Sequence, residues 1–174
     1  MTDYSDSSFV WIETLLTDCP FENFHKVYDY WDQMRGDRFA PSWADLDLLA
    51  LEPTMITHVC VVDVPEDHPP FPYRFFGTSL TMLHDLELSG KTTAIIKPDK
   101  YRAVCEDQYC KIIKTRSPAL FAGKIETESG IVREHFHLRM PLSDDARSVT
   151  NIITIEKFDE EVPELKDYYS SFNQ

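Results

Sequence analysis

The order of the predicted elements indicates an α+β fold built on an antiparallel sheet. Two strands, at His58–Val64 and Tyr73–Phe76, precede a helical block, and three strands follow it. Runs of strands separated by helices are typical of α+β domains with antiparallel sheets. The Ser129–Gly130 pair between two of the late strands is a hairpin signal that favours antiparallel pairing. The length of 174 residues suits one domain with extensions.

Apolar residues near the N-terminus follow helical spacing, so we expect a short helix over residues 7–17, within an extension of residues 1–20. An apolar helix face must be buried somewhere, either on the chain's own sheet or on a second copy. We expect a homodimer, with a monomer as the alternative. The expected dimer contacts are Phe9, Trp11, Ile12, Leu15 and Leu16.

The main domain is expected over residues 21–158 and begins with a helix at Phe21–Arg35, which carries a broad aromatic stripe. A short helix should follow Gly77, and a longer one should run from Pro98 to Arg116. Asp45 and Asp47 lie two apart, a spacing that suits cap or turn residues better than a pair of acid–base carboxylates.

The strands of the main domain differ in pattern. His58–Val64 is almost continuously apolar, which predicts a central strand covered on both faces. The late strands are expected at Ala119–Glu128, Ile131–Met140 and Val149–Phe158. The remaining residues, 159–174, are acidic and polar, and we expect them to form a tail.

Composition limits the classes of partner. The net charge of −13 disfavours nucleic acid and anionic membrane surfaces, although a basic protein partner remains open. The apolar runs are too short to span a membrane, and the N-terminus has no secretion signal. The four cysteines form no Cys-x-x-Cys pair and are expected to be reduced thiols in a cytoplasmic protein.

Several stretches, in this order and spacing, resemble a known family. They are Tyr30–Gly36 with Arg38 and Ala40-Pro41, then Ala44–Asp47, then Tyr73–Thr78 with Leu88–Lys91, then Met140–Asp145. Together with the element order they resemble PAS domains, and most closely a bacterial, often stand-alone subfamily, the fifth PAS grouping. The residues of these motifs that we single out are Trp31, Arg74, Gly77, Thr78 and Pro141.

The resemblance implies a five-stranded antiparallel sheet with helices over one face. It also implies a sensory or protein-interaction module that is often dimeric through an N-terminal helix. Apolar side chains of separate elements should then converge beneath the helices and line a ligand cavity. These residues are Phe75, Met82, Tyr101, Phe121 and Phe136. Arg74 should be half-buried, paired with Asp45 or Asp47 or in contact with an anionic ligand.

His135 and His137 are the best metal candidates by spacing, because residues two apart on a strand share a face. Arg133 and Arg139 share that face and would repel a cation, so we expect a solvated surface and no tightly bound metal. No axial histidine lies on the long helix, and no Asn-Cys-Arg-type motif is present. We therefore expect neither haem nor a photoactive flavin.

No esterase elbow, Walker loop or dinucleotide glycine motif is present, and we do not expect an enzyme. The leading hypothesis is a single-domain sensory or regulatory module that binds a small ligand or a signalling protein. A ligand-free interaction adaptor is the alternative, and a small enzyme is a third. A cavity of a few hundred cubic ångströms would favour the ligand-binding module over the adaptor, and clustered titratable groups would favour an enzyme.

Overall fold

The computed structural model describes residues 10–127 and 129–173. Within these ranges one antiparallel sheet contains six strands in the order β1-β4-β5-β6-β2-β3. The strands are β1 Trp11–Thr14, β2 Val59–Asp63, β3 Tyr73–Phe76, β4 Ala119–Glu126, β5 Val132–Leu142 and β6 Asn151–Phe158. The helices are α1 Glu22–Arg35, α2 Pro53–Ile56, α3 Thr78–His84, α4 Asp99–Thr115 and α5 Pro163–Ser170. The predicted α+β class is confirmed.

The late strands form the expected meander. β4 and β5 pair from Ala119↔Arg139 to Glu126↔Val132, and β5 pairs with β6 from His135↔Phe158 to Leu142↔Asn151. Because successive side chains on a strand point to opposite faces, this register decides which residues share a layer. β2 lies inside the sheet between β6 and β3, as its apolar run predicted.

Helices cover both faces of the sheet rather than one. α3, α4 and α5 pack on the face that carries Phe121, Ile152 and Phe158. α1 packs on the opposite face through Phe24, Val27 and Trp31. That face carries the alternate residues of β5, namely Phe136, Leu138 and Met140.

The expected N-terminal helix is wrong, because residues 11–14 form the edge strand β1 beside β4. The run is rich in aromatic and β-branched residues, which suit a strand, and β4 offers it an open row of backbone groups. Trp11 pairs with Gly123 and lies across it: a Cβ at Gly123 would come within 2.3 Å of the indole. The sixth strand therefore depends on a glycine in its neighbour.

Strand β1 and the residues after it place the expected dimer contacts on different sides of the sheet. Trp11 packs on the face covered by α4, and Leu16 packs on the α1 side. Ile12 and Leu15 remain 59% and 69% exposed. Phe9 lies outside the described residues.

The expected acidic tail is also wrong, because half of it forms the helix α5. α5 begins with Pro163, which suits the first helical position because proline lacks an amide hydrogen. Leu165 and Tyr169, four residues apart, are both buried against the sheet face that α3 and α4 cover. None of the helices in the described ranges combines the length and apolar character of a membrane span.

Candidate functional site

A row of polar side chains lies on β5 and β6, on the face beneath α3, α4 and α5. On β5 it comprises His135, His137 and Arg139, and on β6 Thr154 and Glu156. The pairing register places His137 opposite Glu156 and Arg139 opposite Thr154. All five are buried, with at most 4% of any residue exposed. We call these five residues, with His84, Tyr101 and Gln108, the polar cluster.

Glu156 is the centre of the polar cluster. Its Oε1 lies 2.6 Å from His84 Nε2 and 2.9 Å from His135 Nε2, and it accepts a 3.2 Å hydrogen bond from the Tyr101 hydroxyl. Its Oε2 lies 3.6 Å from His137 Nε2. The structure brings these groups together from α3, α4, β5 and β6.

Burial alone would raise the pKa of Glu156, but the neighbouring histidines hold this pKa well below its ordinary value. The pKa of His135 is lowered, chiefly because burial disfavours the charged ring. The pKa of His137 is lowered further, by burial and then by the charge of His135. The polar cluster thus favours the ionised form of Glu156, and burial disfavours a positive charge on His135 and His137.

Arg139 supplies the cation of the polar cluster. Its Nε donates to Gln108 Oε1 at 2.8 Å, and its Nη1 donates to Thr154 Oγ1 at 3.0 Å. Its Nη2 lies 3.0 Å from His137 Nδ1, and the guanidinium lies over the Tyr109 ring, 4.1 Å from the centroid. A buried guanidinium needs such partners, and here they connect α4 to β5 and β6.

Some buried polar atoms of this region have no hydrogen-bond partner among residues 10–127 and 129–173. They include Trp11 Nε1, Gln108 Nε2, both ring nitrogens of His135 and the Tyr169 hydroxyl. The ring of His135 is close to Glu156 but is not oriented for a hydrogen bond. An unsatisfied buried donor or acceptor costs about 1–3 kcal/mol, so each of these atoms calls for an explanation.

Two voids adjoin the polar cluster. One is a cavity of about 20 Å³ beneath the helices, bordered by His84, Tyr101, Arg139 and Glu156 among others. The other is an open groove of about 350 Å³ between β1 and α4. The groove is lined by Val10, Trp11, Glu13, Val104, Asp107, Gln108, Lys111 and Phe121. We call it the β1–α4 groove.

The predicted cavity residues do not converge. Tyr101 belongs to the polar cluster, and Phe121 lines the β1–α4 groove. Phe136 and Phe75 face the α1 layer instead, and Met82 is 69% exposed. Phe136 lies on the α1 face because successive side chains on a strand alternate. Its neighbours on β5, His135 and His137, face α3, α4 and α5. The prediction of a solvated His135–His137 face is wrong for the same reason.

Sequence reasoning missed His84, Gln108, Arg139 and Glu156 as site residues. A signal was present in the strands: β5 has polar residues at alternate positions from His135 to Arg139, and β6 has Glu156 within an apolar run. That alternation marks one face but does not say whether helices cover it. Trp11 was chosen as a dimer contact rather than as a groove residue.

The family-motif residues act outside the polar cluster. Trp31 Nε1 donates to the Pro141 carbonyl oxygen at 2.8 Å, which joins α1 to the end of β5. A Cβ at Gly77 would lie 2.2 Å from the Thr57 carbonyl oxygen, so only glycine fits there, and Thr78 then begins α3.

Arg74 is exposed and pairs with Asp63 at 2.7 Å, not with Asp45 or Asp47. Those two aspartates cap short turns, as predicted: Asp45 accepts from the Ser42 amide and Asp47 from the Leu49 amide.

The molecule is thus a small α+β module in which helices enclose a polar cluster on one face of an antiparallel sheet. The chain belongs to the PAS domain family, whose family model matches residues 22–155, more than half of its length. The family suggested by the sequence motifs is therefore confirmed. No curated protein matches the chain.

Several solved structures of light-oxygen-voltage (LOV) proteins are similar to this chain at low identity. The Rhodobacter sphaeroides LOV protein is 8% identical, with a TM-score of 0.45 over 70% of this chain and 73% of that one. The LOV domain of the Erythrobacter litoralis EL346 histidine kinase is 14% identical, with a TM-score of 0.43 over 59% and 95%. An RNA-binding LOV receptor is 12% identical, with a TM-score of 0.43 over 95% and 42%. Similarity at this level says nothing about a ligand or an activity of this chain.

Proposed function

We propose that this PAS domain is a sensory or regulatory module that binds a small ligand in the β1–α4 groove. One observation carries the proposal: two residues that line the groove, Trp11 and Gln108, each have a buried N–H group without a partner in the described part of the chain. Both atoms are closed to solvent, so a ligand that accepts hydrogen bonds would satisfy these donors once the two side chains turn toward the groove. The groove volume of about 350 Å³ lies within the range of small-molecule sites.

The groove lining favours a flat, mostly apolar ligand with a carbonyl oxygen or ring nitrogen. Trp11, Val104 and Phe121 supply the apolar surface. The charged groups Glu13 and Lys111 form an ion pair with each other, so they do not call for a charged ligand. Apolar walls with a few directed polar groups are typical of ligand sites.

Gln108 would couple the ligand to the polar cluster. Its Oε1 contacts both Arg139 Nε and His137 Nδ1, while Nε2 of the same amide lacks a partner among the described residues. A ligand bound to Nε2 would fix the amide plane and strengthen these contacts, because linked hydrogen bonds polarise one another. The signal would thus pass from α4 to β5 and β6.

The direct test is an NMR titration with a library of small heteroaromatic and carbonyl fragments. The indole N–H of Trp11 and the side-chain amide of Gln108 should shift together on binding. The indole of Trp31 is an internal control, because it lies on the opposite face and already donates to Pro141. In Val104→Phe, which narrows the groove from α4, the shifts should disappear. Fragments that move neither Trp11 nor Gln108, or that act equally in Val104→Phe, would refute the proposal.

A ligand-free interaction adaptor is the second candidate, and one observation favours it. The cavity beneath the helices is only about 20 Å³, roughly the space of one water molecule, so that part of the core is filled. Exposed Ile12 on the edge strand β1, with exposed Val10 just before it, would then be the contact surface for a signalling protein. The fragment titration separates the two candidates, because an adaptor would leave Trp11 unchanged.

We keep the proposal that the domain is not an enzyme. The polar cluster does contain titratable groups with shifted pKa values, which is a feature of catalytic sites. Yet Glu156 is only 4% exposed, and the cavity that it borders cannot hold a substrate larger than water. A buried network of this kind suits a structural or signal-transmitting role.

We further propose that the protein is a cytoplasmic homodimer without haem or photoactive flavin. The four cysteines are free, which suits a reducing compartment. Ile12 and Leu15 are exposed apolar residues at the open edge of the sheet, where a second copy could pack. α4 contains no histidine that could serve as an axial haem ligand.

A further inference from the structure

We propose that His135, His137 and Glu156 form a binding site for one divalent transition-metal ion, such as Zn²⁺. One ligand atom from each of these three buried residues lies within 4.8 Å of the others. Ligands around a zinc ion at about 2.0–2.2 Å are separated from one another by roughly 3.3 Å. His135 Nε2 lies 2.9 Å from Glu156 Oε1 and His137 Nε2 lies 3.6 Å from Glu156 Oε2, so each imidazole is near this spacing from one oxygen of the carboxylate.

The state of His135 is the observation that points to a bound ion. This ring is fully buried, and neither of its nitrogens has a hydrogen-bond partner among the residues that the structure describes. Leaving a buried polar ring unsatisfied is costly. A metal ion on Nε2 would compensate that cost, and it would require a neutral ring.

The Nε2 atom of His137 faces the same space, 3.6 Å from Glu156 Oε2 and 3.2 Å from the Tyr101 hydroxyl. Its Nδ1 lies 3.0 Å from both Gln108 Oε1 and Arg139 Nη2. With a metal ion on Nε2, Nδ1 would carry the hydrogen and donate it to Gln108 Oε1, as metal-binding histidines commonly donate to an oxygen acceptor, and the contact with Arg139 would open.

His84 lies outside this three-residue set but contacts its carboxylate. Its Nε2 lies 2.6 Å from Glu156 Oε1, so it reaches that carboxylate from the last turn of α3. Two imidazoles and one carboxylate form a donor set that suits Zn²⁺, Fe²⁺ or Ni²⁺ better than Mg²⁺ or Ca²⁺, which prefer oxygen ligands.

The arginines do not oppose a cation as the sequence suggested. Arg139 contacts Nδ1 of His137, which is the ring edge away from the proposed ion. Arg133 pairs with Glu160 at 3.2 Å.

The test is a metal titration of the full chain after dialysis against a chelator, with Zn²⁺ and with Co²⁺ as a spectroscopic probe. We expect one equivalent per chain by elemental analysis, a higher Tm with Zn²⁺, and Co²⁺ absorption bands without thiolate charge transfer. Ligand that binds only the folded state raises stability, so the Tm shift should grow with metal concentration.

Variants make the test specific. His135→Gln and His137→Gln should each weaken Zn²⁺ binding at least tenfold, whereas His25→Gln, in α1 on the other face, should bind as the wild type does. Circular dichroism shows which variants are folded. If a variant does not fold, the Co²⁺ spectrum of the folded wild-type protein still tests the proposal.

Three results would overturn the proposal: less than a tenth of an equivalent with no Tm shift, a thiolate band, or unchanged binding in folded His135→Gln. None depends on the β1–α4 groove, so this inference can fail while the proposed ligand site stands.

Discussion

His84 Nε2 lies 2.6 Å from Glu156 Oε1, and both residues are more than nine-tenths buried. This contact joins the last residue of α3 to β6 across 72 positions of the chain. The position of α3 therefore depends on the charge of one carboxylate. Glu156 also lies close to His135 and His137 on β5. A change at any of these groups should therefore be felt by the helices above the sheet.

Glu156→Gln should destabilise the fold by about 3 kcal/mol. The substitution replaces the buried carboxylate that His84 and Tyr101 contact by a neutral amide, and breaking a buried ion pair is strongly destabilising. Urea unfolding of the metal-free protein measures the effect. Glu134→Gln is the matched control, because the Glu134 side chain forms an exposed ion pair with Lys124 and the change should cost less than about 1 kcal/mol. Equal costs for the two variants would contradict this account of the polar cluster.

Gly123→Ala should destabilise the protein by about 1–3 kcal/mol, because the new methyl group collides with the Trp11 indole. In a Trp11→Ala background the same substitution should cost almost nothing, since its collision partner is gone. The double-mutant cycle isolates this coupling. An identical cost in both backgrounds would mean that Trp11 does not lie over Gly123.

Acid should weaken the turn at residues 143–148. The amides of Arg147 and Ser148 and the hydroxyls of Ser143 and Ser148 donate to Asp145, which lowers the pKa of its carboxyl below the ordinary value. A lowered pKa contributes stability that is complete above about pH 4 and is lost as the pH falls through the folded-state value. The difference in unfolding free energy between wild type and Asp145→Asn should therefore shrink below pH 4. Ser148→Ala removes one hydroxyl donor, so its difference in unfolding free energy from wild type should change less with pH. A difference between wild type and Asp145→Asn that does not change with pH would refute the explanation.

The purified protein should show no absorption bands of haem or flavin in the visible range. The expectation rests on the absence of a histidine from α4 and on the sequence context of Cys105 and Cys110. An absorption spectrum measures it, with acid-denatured protein as the control for released cofactor. A Soret band or a flavin spectrum at one equivalent would show that the motif argument is wrong.

The dimer prediction now rests on the edge strand. Ile12→Ser with Leu15→Ser should convert a dimer into a monomer by light scattering. Leu49→Ser with Met82→Ser is the control, because these residues are equally exposed but lie elsewhere on the surface. A monomeric wild type, or a dimer that survives the Ile12→Ser and Leu15→Ser changes, would show that β1 is not the dimer contact.

The fold could be predicted from the sequence where local pattern decides the structure. The β4–β5 hairpin, the α4 stripe and the apolar β2 are local signals, and each lies where it was expected. The faces of β5 could not be assigned, because alternation gives two faces and both are covered here. The cover depends on α1 and α5, which reach β5 only through tertiary packing.

The two ends of the chain were mispredicted for a related reason. Trp11 and its neighbours suit a helix or a strand equally well, and the free edge of β4 with Gly123 decides between them. The C-terminal segment was predicted as a tail because it is acidic. Its buried residues Leu165 and Tyr169 pack α5 over the polar cluster. The site was missed because it is assembled from four elements, each contributing one to three polar residues to an otherwise apolar face.

Native mass spectrometry of the intact chain tests the central claim most directly, namely that the domain retains a small molecule in the groove beside its polar cluster. The folded wild type, purified without denaturation, should carry a non-peptide mass that is lost on unfolding and absent from Val104→Phe. Washing with chelator beforehand removes bound metal and leaves the groove ligand in place. A bare chain in the wild type, or an adduct that persists in Val104→Phe, would contradict the account.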